Sequence, residues 1–239
     1  MAKAKASNSN KKSSKSKSIL IAGAIGIAVV GGAGGYILRA TTTPDAAYMV
    51  TRYRLNKAKD MLAALTVRNT DVSSLEYNRS VIPSWSDPDK NGCNTRADIL
   101  LKSLDDLVVG TDPCTVKSGT LYDYYTGQTI AYVTDPSNID IDHIVATKNA
   151  WDSGADRWNT DQWKTFVNDP DVLIAVSSSE NRSKGERDAA EWLVPNNPAY
   201  QCRYVISQIT IKTKYSLSVR QVEKDTMSDV LKNNCTVKR

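Results

Sequence analysis

The chain predicts an α+β fold, and three observations carry that prediction. Apolar residues recur at helical spacing early in the globular part and again near its end. The middle alternates with period two between turn residues, as short antiparallel strands do. Between these regions a buried strand-like run, residues 172–176, leads straight into a short polar helix. Helices, a small β region, a strand–helix pair and closing helices, with no internal repeat, make an α+β order.

The first 18 residues are rich in Lys, Ser, Asn and Ala, with six Lys and no acid. Ile19 to Leu38 comes next as twenty uncharged, mostly apolar residues closed by Arg39. Such a run can span about 30 Å of hydrocarbon as a helix. Residues 1–40 therefore read as a signal peptide or an uncleaved signal anchor, and export of the chain beyond residue 40 is expected under either reading. The protein is then secreted, or membrane-anchored through residues 19–38 with the rest outside the cytoplasm.

Residues 41–74 read as a linker, Thr41-Thr42-Thr43-Pro44-Asp45, and a helix over 46–65. Its stripe is Met49, Val50, Tyr53, Ala58, Met61, Leu62 and Leu65. Residues 66–94 are irregular, with Pro83, Pro88 and Asp89-Lys90-Asn91-Gly92 as turn chemistry. Thr95 is expected to cap a second helix with Ile99, Leu100, Leu104 and Leu107 on its apolar face. Residues 114–133, punctuated by Gly119 and Gly127, suit short strands, and Ile139 to Val145 reads as another. Ser177-Ser178-Ser179-Glu180 offers N-caps and an early acid for the helix after 172–176. A helix is expected over 198–215, and a last one from Ser218, in a capping box with Gln221, to near Cys235.

Charge and cysteine usage narrow the setting. Of the 31 Lys and Arg, seven lie in residues 1–39, which hold no acid, so the remainder carries 24 basic and 26 acidic residues. The net +5 of the whole chain thus describes the leader, and a nucleic-acid substrate would have to be held by a local basic patch or a metal. Cys93, Cys114, Cys202 and Cys235 all lie beyond the apolar segment, where disulfides persist. The pairing Cys93–Cys114 and Cys202–Cys235 is expected, since each closes within one compact stretch. A zinc site finds no C-x₂-C pair and a single His.

That single His stands in Asp140-Ile141-Asp142-His143-Ile144-Val145, and Asn181-Arg182-Ser183-Lys184-Gly185 comes later on the short helix. Hydrolysing a phosphodiester needs an activated water and neutralisation of charge on the phosphorane. A hard divalent cation with oxygen ligands supplies the second. Asp142 offers a carboxylate and Asn181 an amide oxygen. His143 is the natural general base, though the group that would orient its ring is not visible in the sequence. Lys184, three residues after Asn181, shares nearly the same helical face and could hold the phosphate. Arg182 is a further phosphate ligand. Arg79 and Arg96 read as phosphate contacts or structural ion pairs, and Asp140 as an outer ligand or a solvated acid. Trp151, Trp158, Trp163 and Trp192 could stack on bases or pack the core.

These residues resemble the HNH endonuclease family, the ββα-metal nucleases: an Asp-hydrophobic-Asp-His-Ile-Val strand, then a helix with Asn-Arg-x-Lys-Gly, as in the HNH domains of RNA-guided DNA nucleases. The chain is also similar to exported HNH-type bacterial proteins across roughly residues 75–235. That similarity runs through Tyr77-Asn78-Arg79, Trp85, Cys93-Asn94-Thr95-Arg96, Tyr124-Tyr125-Thr126-Gly127, Ala150-Trp151-Asp152-Ser153-Gly154-Ala155, Asn168-Asp169 and Glu191-Trp192-Leu193. The resemblance implies an HNH nuclease domain over 75–239 with a ββα-metal core, flanked by helices and stabilised by disulfides. Asp142 and Asn181 would be the metal ligands and His143 the base. Mg²⁺ would be the cofactor, with Mn²⁺ or Ca²⁺ as alternatives. The substrate would be DNA or also RNA, cut with low sequence preference to 5′-phosphate and 3′-hydroxyl ends. No obligate protein partner is evident.

One departure stands out. The middle Asn of the motif falls on Val172; in the family it braces the loop after the His strand, and Asn168 or Asp171 could take its place. The alternative reading is a catalytically degenerate surface protein on the same scaffold, binding nucleic acid or an envelope component. Another hydrolase class finds no G-x-S-x-G motif.

Overall fold

The computed structural model describes residues 48–70, 72–134 and 137–238; the Lys-rich leader and the apolar segment 19–38 lie outside the described residues. Among the described residues no helix is long and apolar enough to cross a membrane. The described residues fall in one compact unit.

Among the described residues the first helix with both ends in view, α1, runs Arg52–Ala64, with the Thr51 hydroxyl accepting from Arg54 N–H. It starts later than the stripe suggests because Val50 is extended: its N–H donates to Thr236 O and its O accepts from Lys238 N–H, joining the two ends of the unit. Ala58, Leu62 and Leu65 are buried, while Tyr53 faces solvent. Asn94, one residue before the expected Thr95, caps helix α2 (Thr95–Ser103) through Ala97 N–H. The stripe expected to continue through Leu107 stops there. Leu104–Val109 instead forms strand β1, antiparallel to β2 (Val116–Asp123), which pairs with β3 (Gln128–Ala131). The Leu107-Val108-Val109 run favours a pleated surface, and cross-strand pairing overrides the helical spacing. Gly127 supplies the positive φ of the β2–β3 turn.

A second sheet has two antiparallel strands, β4 (Ile139–His143) and β5 (Leu173–Ser177), with Asp142 opposite Ile174 and His143 opposite Leu173. Their long connection carries α3 (Thr147–Asp152) and α4 (Thr160–Val167); α4 opens on a capping box between Asn159 and Gln162. Helix α5 (Ser178–Lys184) continues from β5 without a loop and ends at Gly185 in positive φ. Its expected serine caps do not form; the Ser177 hydroxyl pairs with that of Ser179. Two long helices close the unit, α6 (Gln201–Lys214) and α7 (Gln221–Asn233). The Ser218 cap is not made either: its hydroxyl donates to Ser153 O, and Glu223 accepts from Arg220 N–H at the start of α7.

The β4–β5 hairpin is the divide between two cores. One face, with Ile139, Ile141, Leu173 and Ala175, packs on Ile99 and Leu100 of α2 and on Leu104, Val116 and Leu121 of the three-stranded sheet. The other carries Val176 into the larger core of α1, α3, α4, α6 and α7. Trp151, Trp163 and Trp192 are buried in that core and Trp158 packs against it, so these four rings serve packing. A fully buried ion pair, Lys212–Glu223 (2.6 Å), ties α6 to α7.

Both expected disulfides form. Cys93–Cys114 joins the start of α2 to the β1–β2 loop, and Cys202–Cys235 joins α6 to the segment after α7. Closing loops of 21 and 33 residues stabilises by about 3–4 kcal/mol each in the chain-entropy model. The double substitution Cys202→Ser/Cys235→Ser is therefore expected to lower the unfolding free energy by about that much in urea titration. A loss below about 1 kcal/mol would show that the terminal backbone pairing holds this region without the bridge.

Candidate active site

Alternation along β4 puts Asp140 and Asp142 on one face and His143, with Ile139 and Ile141, on the other. Helix α5 lies across the first face, and its positions 181 and 184, three apart, look down on it together. Asn181 Nδ2 donates to Asp140 Oδ2 (3.0 Å). Lys184 Nζ donates to Asp142 Oδ1 (2.8 Å) and to the carbonyl of His143 (2.9 Å). The Tyr125 hydroxyl donates to Asp142 Oδ2 (2.7 Å). Lys184 and Tyr125 are wholly buried and Asp142 is 5 % exposed. The carboxylate in contact with Asn181 is thus Asp140, and the Lys184 ammonium points into the protein at Asp142 rather than outward to a phosphate. Burial pushes the Asp142 carboxyl above its ordinary value, while Lys184 and the bond from Tyr125 pull it back.

His143 is held differently. Its Nε2 lies 3.1 Å from the carbonyl of Val167, the last residue of α4. A carbonyl only accepts, so Nε2 carries the proton and Nδ1 keeps a free lone pair. The ring lies flat between the half-buried indole of Trp85 (5.4 Å, 5°) and the Phe166 ring (6.0 Å, 14°). Burial lowers its pKa from 6.5 to about 4, the nearby Lys184 and Arg79 cations act in the same direction, and only the bond to Val167 O opposes them. At neutral pH the imidazole is uncharged and able to take a proton.

None of these partners of the ring or of Asp142, Lys184 apart, is assigned by sequence reasoning. Trp85 lies in one of the segments that carry the resemblance, without a role there; Tyr125 likewise. A main-chain carbonyl such as that of Val167 leaves no signal in side-chain chemistry. Val172 is fully buried in the larger core, and its backbone extends the ladder past the strand end: its carbonyl accepts from Ile144 N–H (2.9 Å).

Of the arginines, Arg79 is exposed, donates to Ile82 O and is close enough to the His143 ring to act on its charge. Arg182 is exposed on α5 beside Asn181. Arg96 sits in the first turn of α2, the helix packed on the hairpin's opposite face. No group of three or more His, Cys, Asp and Glu gathers as a metal site among the described residues. The donors at hand are the Asp140 and Asp142 carboxylates and the Asn181 amide. Asp142 uses two of its roughly four lone-pair sites on Tyr125 and Lys184, which leaves oxygen capacity on both acids. That set suits a hard cation that keeps several waters.

The family model "GmrSD restriction endonucleases, C-terminal domain" matches residues 95–230, which hold β4, β5, α5 and every group described above except Trp85, Arg79 and the Ile82 carbonyl. A protein of Arthroderma benhamiae bearing the name "Uncharacterized secreted protein" is 36 % identical over 180 residues, covering 74 % of this chain and 84 % of the relative. No solved structure matches.

Proposed function

This chain belongs to the GmrSD restriction endonuclease C-terminal domain family, a nuclease family, and from that premise we propose that it is a metal-dependent endonuclease of HNH type that hydrolyses DNA, or RNA also, outside the cytoplasm. The observation that carries the reading is the His143 ring: a neutral imidazole clamped between two aromatic faces, with one nitrogen on a carbonyl and the other free. Two antiparallel strands, β4 and β5, followed directly by helix α5 support the ββα reading. Two disulfides and the secreted relative support an oxidising, extracellular setting.

Each of the chain's own groups has a part in this mechanism. Nδ1 of His143 takes a proton from water as the water oxygen bonds to phosphorus; the bond from phosphorus to the 3′ oxygen breaks, and that oxygen gains a proton from solvent. A phosphodiester beside the ring raises the imidazole pKa by its negative charge, which strengthens the base when substrate is bound. Arg79 and Arg182, both exposed, bind flanking phosphates, and Arg96 a more distant one. Lys184 positions: it fixes Asp142 and the main chain at His143. Asn181, with Asp142 and its neighbour Asp140, would hold the divalent cation, Mg²⁺ first, with Mn²⁺ or Ca²⁺ as substitutes; these donors lie on the face of β4 opposite the His143 ring, so the phosphodiester would cross the end of the strand, where residue 143 is last, to meet both. When bound, that cation supplies charge neutralisation at the phosphorane and at the leaving oxygen.

The test is supercoiled plasmid incubated with the protein and Mg²⁺ or Mn²⁺. Nicking and linearisation that EDTA abolishes are expected, and Asn181→Ala should raise the metal concentration needed at least several-fold. Cleavage indifferent to EDTA would sink the metal reading. A folded protein that cuts neither DNA nor RNA with any of these cations would favour the degenerate surface protein, with Val172 as its mark.

A further inference from the structure

We propose that Asn168 is the positioning residue of the His143 ring, holding at once the aromatic face and the carbonyl that fix the imidazole. The proposal rests on His143 being the general base for its kinetic consequence only; the placement of the ring is a separate claim.

Asn168 is the C-cap of α4 and is 4 % exposed. Its Oδ1 accepts from the backbone N–H of Ser86 (2.8 Å), and its Nδ2 donates to Lys164 O (3.0 Å). Each bond ends close to a group that touches the ring. Ser86 is next in the chain to Trp85, whose indole is parallel to the imidazole at 5.4 Å. Residue 168 itself comes directly after Val167, whose carbonyl takes the Nε2 proton, and Phe166, the other face of the stack. The bond to Lys164 O closes the last turn of α4, which sets the direction of the Val167 carbonyl.

Without Asn168 the segment bearing Trp85 loses this side-chain tie to α4. The remaining ties near it are Thr95 N–H and Oγ1 on Ser86 O, which reach α2 and not the His side of the stack. The alternative brace, Asp171, is exposed and pairs with Lys214 at 3.0 Å. Its partners among the described residues, Lys214 and Asp169, are not the groups that stack on or hydrogen-bond the ring. Asn168 therefore does by a side chain on the connecting loop what Val172 cannot do from inside the core.

One histidine in the whole chain makes the test direct. The full chain, labelled with ¹⁵N-histidine, gives one pair of imidazole nitrogen signals. The wild type is expected to show a single Nε2–H tautomer at neutral pH, with a slowly exchanging Nε2 proton. Asn168→Ala should give averaged tautomers with fast exchange, and a kcat on plasmid lower by about tenfold or more at little-changed KM, as misplacement of a reacting group does. Asn168→Asp keeps the acceptor for Ser86 N–H and should recover part of both; it also serves if the Ala variant does not fold. Asp171→Asn should move neither. The proposal is overturned if Asn168→Ala keeps the wild-type tautomer signature, or loses thermal stability while tautomer and kcat stay put. Should the wild-type protein not cleave, the nuclease reading fails while the tautomer comparison still decides the role of Asn168.

Discussion

Replacing His143 with Ala should lower cleavage by about 10²–10⁴-fold, the range a general base contributes, with the fold intact. The ring is half-buried at the end of β4, so its loss opens a slot between Trp85 and Phe166 but breaks no strand pairing. His143→Gln, which keeps bulk and polarity, should be as inactive and closer to wild type in melting temperature. The pH profile gives an independent reading. Only the neutral ring accepts a proton, and burial with Lys184 and Arg79 lowers its pKa to about 4. The acid limb of kcat/KM, which reports the free enzyme, is therefore expected near pH 4 and not near the ordinary 6.5 of a free imidazole. Stability moves in the same sense. The unfolded chain takes up this proton from about pH 6.5 downward and the folded chain only near 4, so the ring's contribution to stability is present above 6.5 and is lost as the pH falls through that window. Cleavage unaffected in the His143→Ala protein would remove the base assignment; a limb near 6.5 would mean that the working ring stands in solvent.

Lys184→Met is expected to destabilise the fold by about 3–5 kcal/mol, the cost of leaving a buried charge without its partner. The ammonium has no exposure, and it holds Asp142 Oδ1 and His143 O together at 2.8 and 2.9 Å. With it gone, Asp142 keeps only the Tyr125 hydroxyl in a site where burial already disfavours its charge. Adding Asp142→Asn to Lys184→Met should recover a good part of the loss in urea titration, because a neutral amide no longer needs a counter-charge. A Lys184→Met protein as stable as wild type but with a raised KM would restore Lys184 to a phosphate contact and remove the positioning role.

Much of this architecture is legible in the residues. The disulfide pairing comes from two cysteine pairs each confined to one stretch. The paired strands come from the alternating segment 139–145 and the apolar run 172–176, and α5 from its place directly after the second. Leu104 and Leu107, expected on the second helix and found in strand β1, satisfy helical spacing and strand propensity together; the partner strand β2 decides between them. The two serine caps fail because each hydroxyl has another partner, Ser179 or Ser153; the second is one that only the folded chain brings near.

The same division runs through the site. By itself the sequence singled out the groups proposed to carry the chemistry, because a lone imidazole just after two carboxylates and an Asn-Arg-x-Lys helix are readable at short range: spacing of two along a strand and three along a helix places side chains on common faces. Which of them touch was decided by tertiary structure. The crossing of α5 over β4 set Asn181 on Asp140 and Lys184 on Asp142. The return of the 83–86 segment against the end of α4 put Trp85, Phe166 and Val167 O around His143. Those contacts join residues 23 to 82 positions apart, among them a main-chain carbonyl that every residue possesses. Local periodicity holds no information about such pairs; they exist only once the two cores close on either side of the hairpin.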